Sequence, residues 1–276
     1  MKVVKHSGAI VDFDSEKLIN SLLKSGADEF TANTILNKIT SDIFEGISTK
    51  NIYKKAFALL KHHTNSHAAR YNIRAAIEML GPDGFFFEKY IARLFEAEKY
   101  ETKNNIILQG NCVSHEIDVL IKKNNTVAMV ECKFHGGKQG VSDVKIPLYV
   151  FSRFNDLRTK FYTVFSNKEK ITDCWIVTNT RFTTDAITFA ECSGINLMSW
   201  DYPENGSLKS RNNSDCMYPI TCLTTLTKAE KDRLLILDVI LVKELLDNTV
   251  DLRAIGISPF RIRNVLKEVT ELCRSF

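Results

Sequence analysis

The chain has 276 residues, enough for about two domains. Its 44% hydrophobic and 25% charged residues are typical of a globular protein and exclude a disordered, collagen-like or low-complexity chain. The net charge of +4 permits a nucleic-acid partner without indicating one. No stretch approaches the ~18 consecutive apolar residues of a membrane span, and the N-terminus lacks the apolar core of a signal peptide. The seven scattered cysteines form no CxxC pair, so we expect a cytoplasmic protein without a membrane partner.

The first segment, residues 1–82, is predicted to form a pair of short strands followed by a small helical bundle. Strands over Val3–Lys5 and Ala9–Phe13 flank a tight turn, and either Asp14 or Ser15 can cap the helix that follows. Three further helices are predicted over residues 31–45, 49–62 and 66–80.

The middle segment, residues 83–205, begins with a predicted helix over Phe85–Glu98 and then alternates between strands and helices. The strands are predicted over Asn105–Leu108, Glu116–Lys122, Thr126–Phe134, Cys174–Thr178 and Ile195–Ser199. The helices between the later strands are predicted over Val144–Phe154 and Thr184–Cys192. This alternation predicts an α/β fold, in which helices pack on the faces of a sheet.

The last segment, residues 206–276, is predicted to be helical. Its two helices are expected over Thr227–Leu246 and Ser258–Cys273. The residues 255–258, followed by Arg261 and Arg263, resemble half of a helix-hairpin-helix. Such a motif binds the DNA backbone through amides at a helix N-terminus and through basic side chains. Plain helical packing is the alternative for this segment.

The clearest chemical pattern lies on two consecutive strand-like runs, residues 115–120 and 130–134. Because side chains alternate across a strand, Glu131 and Lys133 share one face of the second run. A polar tight turn between the runs favours a hairpin, which would bring Asp118 of the first run beside these two residues.

Two carboxylates and a lysine at one sheet edge suit the metal-assisted hydrolysis of a phosphodiester. Asp118 and Glu131 can hold a hard divalent ion such as Mg²⁺, which polarises a phosphoryl oxygen and lowers the pKa of a bound water. Lys133 can orient that water, help to deprotonate it, or neutralise developing charge. Glu88, on the helix before the hairpin, can supply a third carboxylate. The alternative is a surface hairpin with an exposed ion pair.

These features resemble the PD-(D/E)xK nuclease superfamily, specifically the Mrr-like restriction endonucleases, over roughly residues 84–203. The matching stretches are FFFEKYIARLFEAEKY, SHEIDVLI, VAMVECKFH and DCWIVTNTRFTTDAITFAECSGINLMSWD, in the family's order. The resemblance implies a mixed sheet flanked by helices, ligation of Mg²⁺ or Mn²⁺ by Asp118 and Glu131, and a catalytic role for Lys133. Glu88 matches the helix carboxylate of the family.

The N-terminal segment resembles the ATP-cone domain over residues 2–82, in its VVKHSG and FDSEK stretches and its last helix. That domain regulates ribonucleotide reductases and a related transcriptional repressor by binding ATP or dATP. The residues themselves agree, because a glycine turn presents backbone amides and lysines pair with phosphates. A hairpin without a ligand is the alternative. The resemblance implies nucleotide binding by Lys5, His6, Asp14, Lys17 and Thr49.

Together these observations predict a metal-dependent endonuclease, with double-stranded DNA as the expected substrate, that is regulated by ATP or dATP and forms a homo-oligomer. One alternative is a nucleotide-responsive DNA-binding regulator that has a nuclease-like fold but does not cleave. Another is an interaction protein that assembles through its ATP-cone-like segment and its C-terminal helices. The presence of Lys133 with both Asp118 and Glu131 favours the enzyme, because a degenerate nuclease tends to lose the lysine or a ligand.

Overall fold

The computed structural model describes residues 1–5, 7–137, 140–212, 216–246 and 252–274. The chain forms two compact units. The first unit comprises Met1–Ile73, Cys222–Arg233 and Leu245–Phe276, and the second comprises Arg74–Thr221 and Leu234–Glu244. Within the described ranges, no helix combines the length and the apolar character that crossing a membrane requires.

The first unit begins with an antiparallel strand pair and a helical bundle, as predicted, but the helix predicted over residues 66–80 ends at Tyr71. Its elements are β1 (Lys2–Val4), β2 (Ile10–Asp12), α1 (Ser15–Lys24), α2 (Glu29–Asp42), α3 (Thr49–His63) and α4 (Asn65–Tyr71). Asp14, Asp28 and Ser48 each accept a hydrogen bond from a backbone N–H in the first turn of the helix that follows. These caps satisfy donors that have no partner inside the helix.

The second unit contains a mixed five-stranded sheet, with the strand order β3-β4-β5-β7-β9. The first three strands are antiparallel, and β5, β7 and β9 are parallel. The strands are β3 (Glu101–Gln109), β4 (Ser114–Lys123), β5 (Thr126–Lys133), β7 (Asp173–Thr178) and β9 (Asn196–Met198). A short parallel pair joins β6 (Val141–Ser142) to β8 (Arg181–Phe182). The helices are α5 (Ile73–Glu78), α6 (Phe85–Ala97), α7 (Lys145–Leu157), α8 (Thr184–Ser193) and α9 (Leu208–Asn212). The predicted α/β fold is confirmed.

Helices cover both faces of the sheet around the central strand β5. Met129 of β5 belongs to the same core cluster as Phe154 of α7. The ring of Phe95 on α6 lies 5.6 Å from that of Trp175 on β7, measured between centroids. A strand buried on both faces reads as a nearly continuous apolar run, as VAMV does in β5. Glu131, near the end of that run, is therefore a carboxylate in a buried strand.

The single long helix predicted over Thr227–Leu246 is wrong in its second half. α10 covers only Lys228–Ile236, and a 3₁₀ turn follows at Val242–Leu245. The intervening backbone pairs with an earlier segment instead, since the N–H of Ile220 donates to the carbonyl oxygen of Ile240 at 2.8 Å. Residues 239–242 are all buried. Their apolar run therefore reflects burial on every side rather than one apolar stripe of a helix.

The second C-terminal helix, α11, covers Pro259–Cys273 and confirms the prediction there. Cys216 and Cys273 are each disulfide-bonded. The cysteines described as free are Cys112, Cys132, Cys174, Cys192 and Cys222.

Candidate active site and nucleotide-binding surface

Strands β4 and β5 form the predicted hairpin and bring its two carboxylates together. Val119 pairs with Val130 at the end of the ladder, and Asp118 and Glu131 are the next residues on the two strands. Oδ2 of Asp118 accepts a hydrogen bond from the backbone N–H of Cys132 at 2.6 Å. This bond ties the Asp118 side chain to β5, one residue beyond Glu131.

Glu131 is buried, and both of its carboxylate oxygens have partners. Oε1 accepts a hydrogen bond from Nζ of Lys133 at 2.6 Å, and Oε2 accepts one from the guanidinium of Arg153 on α7. The same guanidinium donates to the backbone oxygen of Glu116. The ring centroid of Tyr149 lies 5.5 Å from Cζ of Arg153. Charge-assisted bonds of this kind are what make a buried carboxylate tolerable.

Glu88 is held by a residue of the edge strand β3. Its Oε2 accepts a hydrogen bond from Nδ2 of Asn105 at 3.1 Å. The register of β3 and β4 places Asn105 opposite Asp118, and its φ of 51° lies in the left-handed region. Asparagine tolerates this conformation better than most residues. Asn105 therefore departs from strand geometry and also donates the hydrogen bond to Glu88.

The carboxyl groups perturb one another electrostatically. The pKa of Asp118 is raised to about 7, first by burial and then by the negative charges of Glu131 and Glu88, while the hydrogen bond from Cys132 opposes the shift. Burial is also the main reason that the pKa of Glu88 is raised. Carboxylates that repel one another in this way are stabilised by a cation bound among them.

Within the described residues, no three His, Cys, Asp or Glu side chains are already arranged to hold a metal ion. The chemistry of the donor set nevertheless fits a hard divalent cation, because Asp118, Glu131 and Glu88 offer oxygen atoms only. Two cationic side chains, Lys133 and Arg153, balance the charge of Glu131. The buried carboxylate of Glu131 thus requires positive charge near it, and these two side chains supply that charge.

The segment after β5 is fixed by Asn179, which is buried. Its Oδ1 accepts a hydrogen bond from the N–H of His135, and its Nδ2 donates to the carbonyl oxygen of the same residue, both at 2.8 Å. This two-point contact holds the backbone two residues beyond Lys133. The backbone of Lys133 is therefore fixed by the strand pairing of β5 on one side and by the Asn179 contact on the other.

Sequence reasoning missed Arg153, Asn105 and Asn179. One signal for Arg153 was present, because Val150 and Phe154 mark the apolar face of α7 and Arg153 lies on that same face. A charged residue at such a position needs a buried partner. No comparable signal pointed to the two asparagines.

The N-terminal candidates line one open pocket of about 630 Å³. Four predicted residues contribute to its lining: Lys5, Asp14, Lys17 and Thr49. The fifth, His6, lies outside the described residues. Asp14 caps α1 through the N–H of Lys17 at 3.0 Å, and its other oxygen lies 2.9 Å from Nζ of the same lysine. The Lys17 side chain is 86% exposed, so it is accessible to a phosphate.

Arg261 and Arg263, the two α11 arginines considered for a DNA contact, differ in their contacts within the protein. Arg261 donates to the carboxylate of Glu230 at 2.8 Å and to the carbonyl oxygen of Thr225 at 3.0 Å. Arg263 is exposed, with its Cζ 5.6 Å from the ring centroid of Phe260. The contacts of Arg261 agree with plain helical packing rather than with a DNA clamp.

Comparisons with known proteins cover most of the chain. Family models match residues 1–76 as an ATP cone domain, residues 80–202 as a restriction endonuclease of the Mrr type, and residues 218–273 as AF1548-like, C-terminal. The chain is thus a fusion of an ATP-cone domain with a restriction-endonuclease-like domain, as the sequence predicted.

An uncharacterized protein of Archaeoglobus fulgidus is 35% identical over 183 residues, which are 66% of this chain and 99% of that protein. A crystal structure of a protein of unknown function, AF1548, is similar with a TM-score of 0.57 and 34% identity. That match covers 68% of this chain and 97% of the other. The chain belongs to the family of the Archaeoglobus protein.

Proposed function

We propose that this protein is a divalent-metal-dependent DNA endonuclease whose activity responds to ATP or dATP. The placement of Asp118, Glu131 and Lys133 near the end of β5, with Glu88 close enough to act electrostatically on Asp118, carries this proposal. The match to restriction endonucleases supports DNA as the substrate, with double-stranded DNA as the first candidate. The proposed division of labour assigns nucleotide binding to residues 1–82 and cleavage to residues 83–205, with residues 206–276 as a helical region.

Asp118, Glu131 and Glu88 would hold the metal. A bound Mg²⁺ or Mn²⁺ ion supplies Lewis-acid polarisation of the scissile phosphate and a water of lowered pKa. The N–H of Cys132 favours the ionised form of Asp118, which is the form that can act as a ligand. Nζ of Lys133, held by Glu131, can donate to the attacking water or to a phosphoryl oxygen and so neutralise developing charge.

The nucleotide proposal rests on the pocket that Lys5 and Lys17 line. A triphosphate that pairs with both lysines would replace the contact between Lys17 and Asp14. For the nucleotide to control cleavage, it must bind two states of the protein with different affinities. We propose that these states differ in the assembly of a homo-oligomer.

Cleavage of plasmid and linear DNA by the full chain tests the proposed activity. With Mg²⁺ or Mn²⁺, wild type should cleave, EDTA should stop the reaction, and Lys133→Ala should slow it by about 100-fold or more. Lys168→Ala is the matched control, because it removes the same charge from an exposed residue of the same unit. Wild type that leaves DNA and RNA intact with either metal, with or without ATP and dATP, would exclude the nuclease. DNA binding without cleavage would favour the non-cleaving regulator.

A further inference from the structure

Arg153 joins helix α7 to both strands that carry the candidate metal ligands. One arm of its guanidinium donates to Oε2 of Glu131 on β5, and the other donates to the backbone oxygen of Glu116 on β4. The Arg153 side chain is only 10% exposed, with the ring of Tyr149 near the guanidinium. This arginine is therefore a fixed component of the site rather than a mobile surface charge.

We propose that Arg153 is a positioning residue that holds Glu131 in place and competes with the divalent cation for its carboxylate. Arg153 would then set the affinity of the site for the metal. This inference rests on the proposed function and deepens it, because it concerns the control of the same site.

The competition follows from the two cationic donors that Glu131 already has. One oxygen is bonded to Lys133 and the other to Arg153. Each oxygen can accept more than one contact, but a cation that coordinates Glu131 must lie beside one of these cationic donors or displace it. Two positive groups on one buried carboxylate also repel each other more strongly than they would in water. The apparent metal affinity is the intrinsic affinity multiplied by the fraction of protein in which the oxygen is released.

Arg153 is the stronger competitor of the two donors. Lys133 is 30% exposed and lies on the same strand as Glu131, so its ammonium can turn towards solvent or substrate. Arg153 has a second hydrogen bond, to Glu116, and an aromatic ring against its guanidinium. Both contacts hold the guanidinium in place when a metal cation binds at Glu131. Substitution of Arg153 therefore makes the Glu131 carboxylate more available to the metal than substitution of Lys133 does.

A purely structural role for Arg153 makes the opposite prediction. If the arginine only supported Glu131, its removal would let the carboxylate move and would weaken metal binding. If the arginine competes, its removal strengthens metal binding, even where cleavage falls because Glu131 is less well positioned. The sign of the change in metal affinity separates the two roles.

Calorimetric titration of the full chain with Mn²⁺ measures this sign. Arg153→Met should bind Mn²⁺ about tenfold more tightly than wild type. Arg153→Lys keeps the charge but cannot contact Glu131 and Glu116 with one planar group, so its affinity should lie between the two. Arg158→Met is the matched control, since Arg158 is an exposed arginine just after the same helix, beside Phe154, and has no contact with the site. Its affinity should stay within about twofold of wild type.

Unchanged or weaker Mn²⁺ binding by Arg153→Met would overturn the proposal, as would an equal gain by Arg158→Met, which would indicate a general charge effect. If thermal melting shows that Arg153→Met is unfolded, Arg153→Lys decides in the same way. Wild type that binds Mn²⁺ and cleaves DNA, with no gain in either variant at position 153, refutes this inference alone. A chain that neither binds Mn²⁺ nor cleaves in any form refutes the proposed function as well.

Discussion

The two candidate sites of this protein hold their charged groups in different ways. The Glu131 side chain is 4% exposed, and its partners come from its own strand and from helix α7. The Lys17 side chain is 86% exposed, and its partner Asp14 lies three residues earlier in the same helical turn. The first site is assembled by tertiary packing, whereas the second is a local feature of a helix N-terminus.

This difference matches what each proposed activity requires. Phosphodiester hydrolysis needs ligands and cations that are positioned before the substrate arrives, because groups that are already oriented cost no reorganisation during the reaction. Binding of a flexible triphosphate needs accessible cations, which the ligand itself can order. Buried networks lose much stability when one member is removed, whereas exposed ion pairs contribute little.

The largest expected effect is that of Glu131→Ala on stability. The substitution leaves the buried guanidinium of Arg153 without its carboxylate, so the free energy of unfolding should fall by about 3–5 kcal/mol. Urea denaturation measures this change. Lys17→Ala is the control and should leave the denaturation midpoint unchanged within error, because its ion pair is exposed. Equal midpoints for both variants would contradict the contrast between the two sites.

Nucleotide affinity is the next test, because it probes the exposed site directly. Lys5→Ala and Lys17→Ala should each weaken ATP binding about tenfold in calorimetry, since each removes one charge-assisted contact to a phosphate. Lys24→Ala is the matched control, because Lys24 is exposed at the other end of α1 and does not line the pocket. ATP binding that is insensitive to Lys5 and Lys17 would place the nucleotide elsewhere. An absence of binding to wild type would refute nucleotide sensing.

Acid pH tests the partly buried ion pair between Glu230 and Arg261 in the first unit. The hydrogen bonds from Arg261 are the main reason that the pKa of Glu230 is lowered to about 2. A lowered pKa in the folded state stabilises the protein above the ordinary pKa of the group, about 4.3, and this contribution is lost as the pH falls towards 2. Melting temperatures measured across this range should therefore fall less steeply for Glu230→Gln than for wild type. Parallel curves would show that the ion pair does not contribute.

Much of the β4–β5 hairpin could be predicted because its geometry is local. Side-chain alternation places Glu131 and Lys133 on one face, and a tight turn sets the register that puts Asp118 and Glu131 just beyond the last pair of the two strands. Arg153 could not be predicted in this way, because its contact with Glu131 depends on how α7 packs on the sheet. The overlong helix predicted over Thr227–Leu246 failed for the same reason, since residues 240–242 pair with a segment some twenty residues earlier.

The smallest expected effect concerns Asn105, which links backbone conformation to the site. Its φ of 51° favours glycine or asparagine, and its amide donates to Glu88. Asn105→Gly removes the amide without backbone strain, whereas Asn105→Ala removes the amide and adds about 1 kcal/mol of left-handed strain. Both variants should therefore cleave DNA more slowly than wild type, by a similar few-fold factor, because Glu88 loses the same hydrogen bond.

Asn105→Ala should melt at a clearly lower temperature than Asn105→Gly, because only the alanine variant carries the left-handed backbone strain. The pair of variants thereby separates the contribution of the amide to cleavage from the contribution of the backbone to stability. If Asn105→Gly cleaves as fast as wild type, the edge strand takes no part in positioning Glu88. The preorganised site would then consist only of the contacts that β4, β5 and α7 provide.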